Sequence, residues 1–353
     1  MPIRVGNITL HMGPRQTGAP DDLEKAIVGF LGGAKKSLDI AVQEVDNERI
    51  ARAILAAARR KVRVRLVLEA DYLREEKART DPWRAGGANE ANRAIQDAVL
   101  RSALYVRSDF NPEIFHQKFV VRDGNAVLTG STNFTDNDVQ RNLNHVAVFE
   151  DPRVARLFAK EFEHVRQGRF GRQKGAEDPA AKPRRVEVAG VPVKVLFAPE
   201  HSPEMEIMKL MVKARERIDF AVFTFAQSSG IDDAMVRLAG HGMPVRGAID
   251  AGQGRQKWAS TPLLRRAGVS LRLVGRKRPV RKLHHKLMVL DRQVVVLGSF
   301  NYTEPANRTN DENIVVVGDL DTEDAASRGR QRRLAAYAFE EIDRILRVHG
   351  TPA

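Results

Sequence analysis

Two segments of eight residues combine histidine, lysine and aspartate at the same spacing. The first reads HQKFVVRD and begins at His116, and the second reads HHKLMVLD and begins at His284, 168 residues further on. In an extended strand, side chains two residues apart point to the same face, so His116 projects with Lys118 and His284 projects with Lys286. An imidazole beside an ammonium group is suited to binding an anion and to transferring a proton.

Each motif is followed by a small polar cluster. Six residues separate the motif aspartate from the sequence G-S-x-N in both halves. Hydroxyl and carboxamide groups of this kind can contact phosphate oxygens. The aspartate ends its strand at what reads as a hairpin turn, so we expect it to organise the turn rather than to react. These residues are Asp123, Ser131 and Asn133 in the first half and Asp291, Ser299 and Asn301 in the second.

The motifs belong to an internal repeat. RNLNHVAVFED in the first half aligns with TNDENIVVVGD in the second at the same offset of 168, whereas SLDIAV and RIDFAV further upstream are offset by 180. The first half therefore carries about 12 additional residues, within a polar insert at 72–98 that includes Trp83. The insert has two interpretations, a lid or base-stacking surface and a plain surface excursion. The duplication itself predicts that both halves form the same structural unit.

Strands and helices alternate in each half, which is typical of an α/β fold. We predict two homologous lobes, each a mixed β-sheet flanked by helices, packed as a pseudo-dimer. Lobe 1 is predicted for residues 1–172 and lobe 2 for residues 193–353. The intervening residues 173–192, around GRQKGAEDPAAKPRR, are rich in Pro, Gly and charge and are predicted to be a linker. Lobes that face each other like the subunits of a C2 dimer would bring both motifs to one cleft.

A cleft with two imidazoles, two ammonium groups and two carboxamides suits a phosphodiester. The lysines and asparagines would neutralise and orient its oxygens, while one histidine attacks phosphorus and the other protonates the leaving oxygen. The fixed cations would take the place of a metal. The chain has no cysteine, which excludes thiolate catalysis and Cys-type zinc sites, and no other spacing of acids and histidines indicates a metal site. We therefore expect neither metal nor cofactor.

The complete string HxKx4Dx6GSxN, present twice, resembles the signature of the phospholipase D superfamily, here in a two-motif chain like those of its nuclease and phosphodiesterase branch. The resemblance covers essentially the whole chain. It implies a two-step phosphoryl transfer through a covalent phosphohistidine, without a metal. It assigns catalytic roles to His116, Lys118, Asn133, His284, Lys286 and Asn301, and supporting roles to Asp123, Ser131, Asp291 and Ser299.

Members of this superfamily commonly have a downstream acid that hydrogen-bonds the catalytic histidine. Glu312 fits this role in the second half, whereas Asn144 stands at the aligned position of the first. A carboxylate raises the pKa of a histidine more than an amide does. The sequence therefore predicts that His284, with Glu312, is the proton donor and that His116, beside Asn144, is the nucleophile. The tyrosyl-DNA phosphodiesterase branch has a similar asymmetry and the same role order, but lacks the motif aspartates kept here. His285 is the alternative catalytic histidine, disfavoured by spacing.

Charge bears on the substrate. The net charge of +13 and the pI near 10.1 indicate a polyanionic partner. Aromatic residues make up only 6% of the chain, no apolar run has the length of a membrane span, and the N-terminus lacks a signal-peptide core. We therefore expect a cytoplasmic protein with no integral membrane association. GRKRPVRK precedes the second motif, and its basic residues are predicted to bind substrate: Arg276, Lys277, Arg278, Arg281 and Lys282.

Three functions follow from these features. The first is a metal-independent nuclease, an endonuclease of DNA or RNA that prefers single strands, in which a monomer suffices for one active site. The second is an intracellular phospholipase D or transphosphatidylase. The third is a non-catalytic binding protein, which two complete motifs disfavour. By analogy with the superfamily, an activating protein partner of unknown identity is a further expectation.

Overall fold

The computed structural model describes residues 1–175 and 183–353, which form two lobes with the same arrangement of strands and helices. The strands of the first lobe are β1 (Ile3–Val5), β2 (Ile8–Gly13), β3 (Ser37–Val42), β4 (Arg63–Glu69), β5 (Tyr105–Asp109), β6 (Lys118–Arg122), β7 (Ala126–Gly130) and β8 (Asn142–Phe149). Its helices are α1 (Leu23–Gly32), α2 (Glu48–Arg59), α3 (Glu90–Arg101), α4 (Asp136–Gln140) and α5 (Pro152–Arg166), followed by the short α6 (Arg172–Gly175).

The second lobe repeats this order. Its strands are β9 (Arg184–Val188), β10 (Val191–Ala198), β11 (Ile218–Val222), β12 (Val245–Asp250), β13 (Ser270–Lys277), β14 (Val280–Leu283), β15 (Lys286–Leu290), β16 (Val294–Gly298), β17 (Glu312–Val317) and β18 (Thr351–Pro352). Its helices are α7 (Pro203–Lys213), α8 (Gly230–Gly240), α9 (Thr261–Arg266), α10 (Glu304–Arg308) and α11 (Ala325–Arg344).

Each lobe is built on a mixed sheet. In the first lobe the strand order is β1-β2-β8-β7-β6-β3-β4-β5, and in the second it is β9-β10-β17-β16-β15-β11-β12-β13, with β18 on the edge. The pairs among β3, β4 and β5, and among β11, β12 and β13, are parallel, and the others in these two orders are antiparallel. The predicted two-lobed α/β fold is confirmed.

The central strands are buried on both faces, because helices cover both sides of each sheet. β6, β7, β15 and β16 contain almost only buried residues, and their sequences are correspondingly rich in Val and Leu. The motif histidines lie just outside these strands, since β6 begins at Lys118 and β15 begins at Lys286. The expectation that each histidine lies within its motif strand is therefore wrong by two residues.

The closing helix of each lobe packs between the two sheets. Asp151 caps α5 by accepting hydrogen bonds from the backbone N–H groups of Arg153 and Val154, and Pro152 fills the first turn, as the sequence predicts. The Phe158 ring of α5 contacts Phe119 of the first lobe and Phe197 of the second, with centroid distances of 5.1 Å and 5.2 Å. Helix α11 packs in the same way against β1 and β2 as well as against its own sheet. One apolar cluster therefore extends through both lobes, while a further cluster lies within each lobe.

Helix α11 is longer than predicted. The pattern RLAAYAFEEIDRILRVHG places its start near residue 333, whereas the helix begins at Ala325. Asp324 caps it by accepting a hydrogen bond of 2.6 Å from the backbone N–H of Ser327. The cap outweighs the charged and poorly apolar composition of the first two turns.

The predicted linker is partly structured. Its C-terminal part contains β9, which forms a hairpin with β10. Residues 176–182 lie outside the described residues. The boundary between lobes at residues 173–192 stays a prediction, although the hairpin shows that residues 184–192 belong to the second sheet.

Each motif begins beside a strand of the opposite lobe. Strand β14 pairs in parallel with β8, and the His284 backbone N–H donates to the Leu143 carbonyl at 2.8 Å. The His116 backbone N–H donates to the Asp311 carbonyl at 3.0 Å. These cross-lobe hydrogen bonds fix both histidines at the interface between the lobes.

Candidate active site

The two motifs converge on one cavity of about 490 Å³ between the lobes. His116 and His284 both line it, and each is only 7% exposed. Asn133 and Asn301 line the same cavity. Their Oδ1 atoms are buried and accept no hydrogen bond from the part of the chain that the structure describes. The predicted convergence of the histidines and asparagines is therefore observed.

Two buried ammonium groups lie beside the histidines. Lys118 Nζ donates to Gln43 Oε1 at 3.0 Å and to the His116 carbonyl at 2.7 Å, and Lys286 Nζ donates to the His284 carbonyl at 3.0 Å. Burial lowers the pKa of Lys118 to about 7. Burial and the charge of Lys118 also lower the pKa of Lys286 well below its ordinary value. Both lysines would gain from a bound anion, which would restore their charged forms.

The histidines are paired across the lobes, not within them. His116 Nδ1 lies 2.7 Å from Glu312 Oε2, and His284 Nδ1 lies 3.0 Å from Asn144 Oδ1. The predicted pairs, His284 with Glu312 and His116 with Asn144, are therefore wrong. The physical reason is the docking of the lobes: β8 and β17 each carry their polar residue to the interface, where the nearest imidazole belongs to the other motif.

The motif serines orient these partners. Ser131 Oγ donates to Asn144 Oδ1 at 2.8 Å, and Ser299 Oγ donates to Glu312 Oε2 at 2.5 Å. Asn144 Nδ2 donates to the carbonyls of Asp138 and Asn142, at 3.2 Å and 3.3 Å. The amide nitrogen is thus committed to carbonyls, so Asn144 Oδ1 must accept from His284. That hydrogen bond places a proton on Nδ1 of His284 and turns Nε2 to the reacting group.

Burial dominates the protonation of the histidines. Burial, together with the charges of Lys118 and Lys286, holds the pKa values of His116 and His284 well below the ordinary value. Burial raises the pKa of Glu312 to about 8. The cleft without substrate therefore favours neutral imidazoles. A phosphate anion placed among these groups would favour their protonated forms.

The motif aspartates tie strands together outside the cavity. Asp123 accepts hydrogen bonds from the backbone N–H groups of Lys35, Lys36 and Ser37, in the connection between α1 and β3. Asp291 does the same for the backbone at 215–217. Both aspartates are therefore structural, as the sequence predicts, but these hydrogen bonds of their carboxylates organise a neighbouring connection and not the hairpin turn that was expected.

Two further carboxylates position the motifs and were missed from the sequence. Glu69 Oε2 accepts from the Phe115 backbone N–H at 2.7 Å, and Asp250 Oδ2 accepts from the Leu283 backbone N–H at 3.0 Å. Each amide immediately precedes a motif histidine. The available signal was the matching Glu-Ala and Asp-Ala at the ends of the aligned strands LVLEA and GAIDA.

The cavity has an acidic wall that the sequence analysis did not identify. Glu44, Asp46 and Asp138 of the first lobe line it. Burial, together with Asp138 and Asp46, raises the pKa of Glu44 to about 7. A basic wall of the cavity comes from Arg281 and Lys282 of the second lobe. The two walls therefore differ in charge even though the lobes are repeats.

The predicted basic residues separate into three groups. Arg281 and Lys282 line the main cavity and also a neighbouring cavity of about 340 Å³. Arg276 and Arg278 line only the neighbouring cavity, together with Arg141, which sequence reasoning missed. Lys277 is exposed on the β13–β14 hairpin and lines neither cavity.

His285 lies on the side of the motif away from the cavity, as the spacing predicts. Its ring stacks on that of His145, with a centroid distance of 5.3 Å, and both are buried. His145 therefore has a partner that the sequence did not reveal. His145 Nε2 also accepts from the Gly298 backbone N–H at 3.2 Å. Both histidines belong to the interface between the lobes.

The insert forms one rim of the cavity. Tyr72, Asn89 and Asn92 line it, whereas Trp83 is 96% exposed and does not. A separate group, Glu161, His164 and Glu200, places possible metal-ligand atoms within 4.8 Å of one another, but lines neither the main nor the neighbouring cavity. That the cleft needs no metal stays a prediction.

Comparison with known proteins now identifies the family. A family model described as "Cardiolipin synthase, PLD-like domain" matches residues 27–166 and 207–329, more than half of the chain and one segment in each lobe. The chain belongs to the phospholipase D superfamily. Both matched segments contain a complete motif, in agreement with the resemblance drawn from the sequence.

The chain is also similar to individual superfamily members. It is 33% identical to the mitochondrial cardiolipin hydrolase of Xenopus laevis over 135 residues. The aligned segment covers 38% of this chain and 57% of that protein. It is 29% identical over 132 residues to a phospholipase D of Rickettsia felis, covering 36% and 62%. This chain thus spans only about half to two thirds of these relatives' length. The crystal structure of phosphatidylserine synthase from Haemophilus influenzae shares the fold, with a TM-score of 0.66 at 13% identity over 99% of this chain and 88% of that one.

None of the helices in residues 1–175 and 183–353 combines the length and the apolarity that crossing a bilayer requires.

Proposed function

We propose that this chain is a nuclease that cleaves phosphodiesters of DNA or RNA, preferring single strands, through a covalent phosphohistidine and without a metal. The observation that supports it most directly is the meeting of His116 and His284 in one cavity beside the ammonium groups of Lys118 and Lys286. The two fixed cations offer the charge that a divalent ion supplies in other phosphodiesterases.

The chemistry takes two steps. In the first, Nε2 of one histidine attacks phosphorus, the P–O bond to the leaving group breaks, and the leaving oxygen takes a proton from Nε2 of the other histidine. In the second, the second histidine takes a proton from water as the water oxygen attacks phosphorus. The N–P bond then breaks and the first histidine is restored.

We keep His116 as the nucleophile, on a ground different from the one given by the sequence. A phosphorylated imidazole carries positive charge unless its Nδ1 proton leaves. Glu312 Oε2 lies 2.7 Å from Nδ1 of His116, so the carboxylate form of Glu312 can accept that proton. His284 then acts as the acid, which requires a proton on each of its ring nitrogens.

Basic side chains beside the cleft support nucleic acid as the substrate. The neighbouring cavity shares Phe223, Arg281 and Lys282 with the main one and adds Arg141 and the hairpin arginines. A strand bound with one phosphate between the histidines would continue along this basic wall and away from the acidic wall. The net charge of +13 strengthens the attraction at a distance.

A phospholipid is the second candidate substrate. The relatives that the chain matches are described as cardiolipin hydrolase and phospholipase D. A lipid phosphodiester would meet the same histidines and lysines. The basic wall would then contact a second phosphate or an anionic membrane surface.

The test compares substrates under excess EDTA. Labelled single-stranded DNA, double-stranded DNA and RNA are incubated with the protein in parallel with vesicles of phosphatidylcholine and of cardiolipin. We expect cleavage of the single strands, lost in His116→Ala and retained in His241→Ala, which removes an exposed histidine.

Mass spectrometry of alkali-quenched protein, in which the N–P bond survives, then locates the covalently bound phosphate, which we expect on His116. If only the phospholipid vesicles were hydrolysed, the protein would be a phospholipase and not a nuclease. No turnover of any substrate, or turnover that EDTA abolishes, would contradict the proposal.

A further inference from the structure

The first lobe lacks a carboxylate where the second lobe has Glu312. Asn144 occupies the aligned position on β8, and it is the hydrogen-bond partner of His284. An amide fixes the tautomer of an imidazole but does not balance the charge of an imidazolium. In the proposed mechanism His284 must become an imidazolium, because Nδ1 donates to Asn144 while Nε2 gives its proton to the leaving group.

A carboxylate from another element lies next to His284. Asp138 Oδ2 is 3.4 Å from His284 Nδ1. Asp138 is 3% exposed, lines the cavity and lies in α4, whereas Glu312 lies on strand β17. Its position is fixed, since Oδ2 accepts from the Asn133 backbone N–H at 2.7 Å and Oδ1 accepts from the Asn142 side chain.

The second lobe shows the reverse arrangement. At the repeat offset of 168, Asp138 corresponds to Ala306, just as Asn144 corresponds to Glu312. Each lobe therefore presents one carboxylate to the histidine of the other lobe. In the second lobe it comes from the strand, and in the first it comes from the short helix that follows Gly-Ser-x-Asn.

We infer that Asp138 is a positioning residue that supplies His284 with the negative charge missing at residue 144. The inference rests on the proposed function, because it concerns the histidine that protonates the leaving group. Asp138 does not touch the reacting phosphorus. It acts through His284, by stabilising the imidazolium while Asn144 holds the orientation of the ring.

The test uses two leaving groups with different needs for a proton. An oligonucleotide releases an alkoxide, which must be protonated as it leaves, whereas bis(p-nitrophenyl) phosphate releases a phenolate that departs without a proton. Asp138→Asn keeps the shape and a hydrogen-bond acceptor but removes the charge. We expect it to slow oligonucleotide cleavage about 10- to 100-fold. The initial burst of p-nitrophenolate should change less than about threefold.

Two further variants separate charge from structure. Asp136→Asn removes an exposed carboxylate from the same helix and should leave both rates unchanged. In the double variant Asp138→Asn with Asn144→Glu, the carboxylate moves to the strand position that Glu312 uses. We expect this variant to recover most of the lost oligonucleotide rate.

The outcomes are distinguishable. If Asp138→Asn slows both substrates equally, or if Asn144→Glu restores nothing, Asp138 is only structural and the inference fails while the proposed function stands. If the parent protein cleaves neither substrate, the proposed function fails first.

Discussion

At the scale of residues, the site depends on carboxylates and imidazoles that are almost fully buried. His116 and Glu312 lie 2.7 Å apart and neither is more than 7% exposed. Burial penalises both charged forms, so it lowers the pKa of the histidine and raises that of the carboxyl. Burial in this way brings the pKa values of catalytic groups close to neutral pH. The same burial lowers the free energy of unfolding when the groups are charged.

The stability cost of Glu312 has a defined sign. Its pKa is about 8 in the folded chain, well above its ordinary value, so folding binds a proton. The stability that this bound proton contributes is fully present below the pKa of Glu312 in the unfolded chain. It is lost as the pH rises through about 8, the pKa in the folded chain. We expect the free energy of unfolding of the parent to fall more between about pH 5 and about pH 9 than that of Glu312→Gln. Urea unfolding at several pH values measures this.

Glu340→Gln, which changes an exposed glutamate of α11, serves as the control and should follow the parent. Parallel pH profiles for parent and Glu312→Gln would show that Glu312 titrates as an ordinary carboxyl.

At the scale of elements, the β13–β14 hairpin differs most clearly in charge from its surroundings. β14 joins β8 of the first lobe, so the hairpin is held across the interface and carries Arg276, Arg278 and Arg281 to the side of the cleft. At the repeat offset of 168, Arg276, Arg278 and Arg281 correspond to Ser108, Phe110 and Glu113, so the first lobe as described has no basic extension at this place. The rim of the cavity on the side of the first lobe comes instead from the insert. One lobe thus contributes a polar rim and the other a basic one.

We predict that the double variant Arg276→Gln with Arg278→Gln raises KM for single-stranded DNA and leaves kcat unchanged, because these arginines lie outside the main cavity. For each phosphate that the variant no longer binds, the slope of log affinity against log salt should become shallower by about 0.7. Binding measured at several salt concentrations tests this. Arg332→Gln with Arg333→Gln, two exposed arginines of α11, is the matched control. If the slope of log affinity against log salt were unchanged, the hairpin arginines would not contact phosphates of the bound strand.

At the scale of the whole molecule, the lobes share one apolar cluster and one site. Helices α5 and α11 lie between the sheets, and the apolar cluster around them includes residues from β2, β8, β10 and β17. The cavity likewise needs both lobes, since each histidine is held by a residue of the other. The lobes are therefore expected to fold and unfold as one unit.

A substitution at Phe158 can show whether the two lobes unfold together, because its ring contacts phenylalanines of both lobes. We expect Phe158→Ala to lower the free energy of unfolding by about 3–5 kcal/mol through loss of buried area and creation of a cavity. Calorimetry should show one transition in both proteins, shifted to lower temperature in the variant. Phe110→Ala, which removes a side chain that is 75% exposed, should shift it little. Two transitions of which only one moves would mean that the lobes unfold independently.

The sequence was enough for the local and repeated features. The alternation of apolar strands and amphipathic helices predicted the lobes, and the cap at Asp151 predicted the start of α5. The spacing of HxKx4Dx6GSxN predicted the cavity residues and the structural role of Asp123 and Asp291. These features depend on neighbours within one strand, turn or helix, so a repeat in the sequence repeats them in space.

Only the tertiary structure decided which residue serves which histidine. The sequence paired Glu312 with the histidine of its own half, because alignment relates residues within a lobe. The docking of the lobes through α5, α11 and the β14–β8 pair exchanges these partners and brings Asp138 to His284. Contacts between groups that are far apart in the chain follow from how apolar surfaces pack together, which no spacing within one half records.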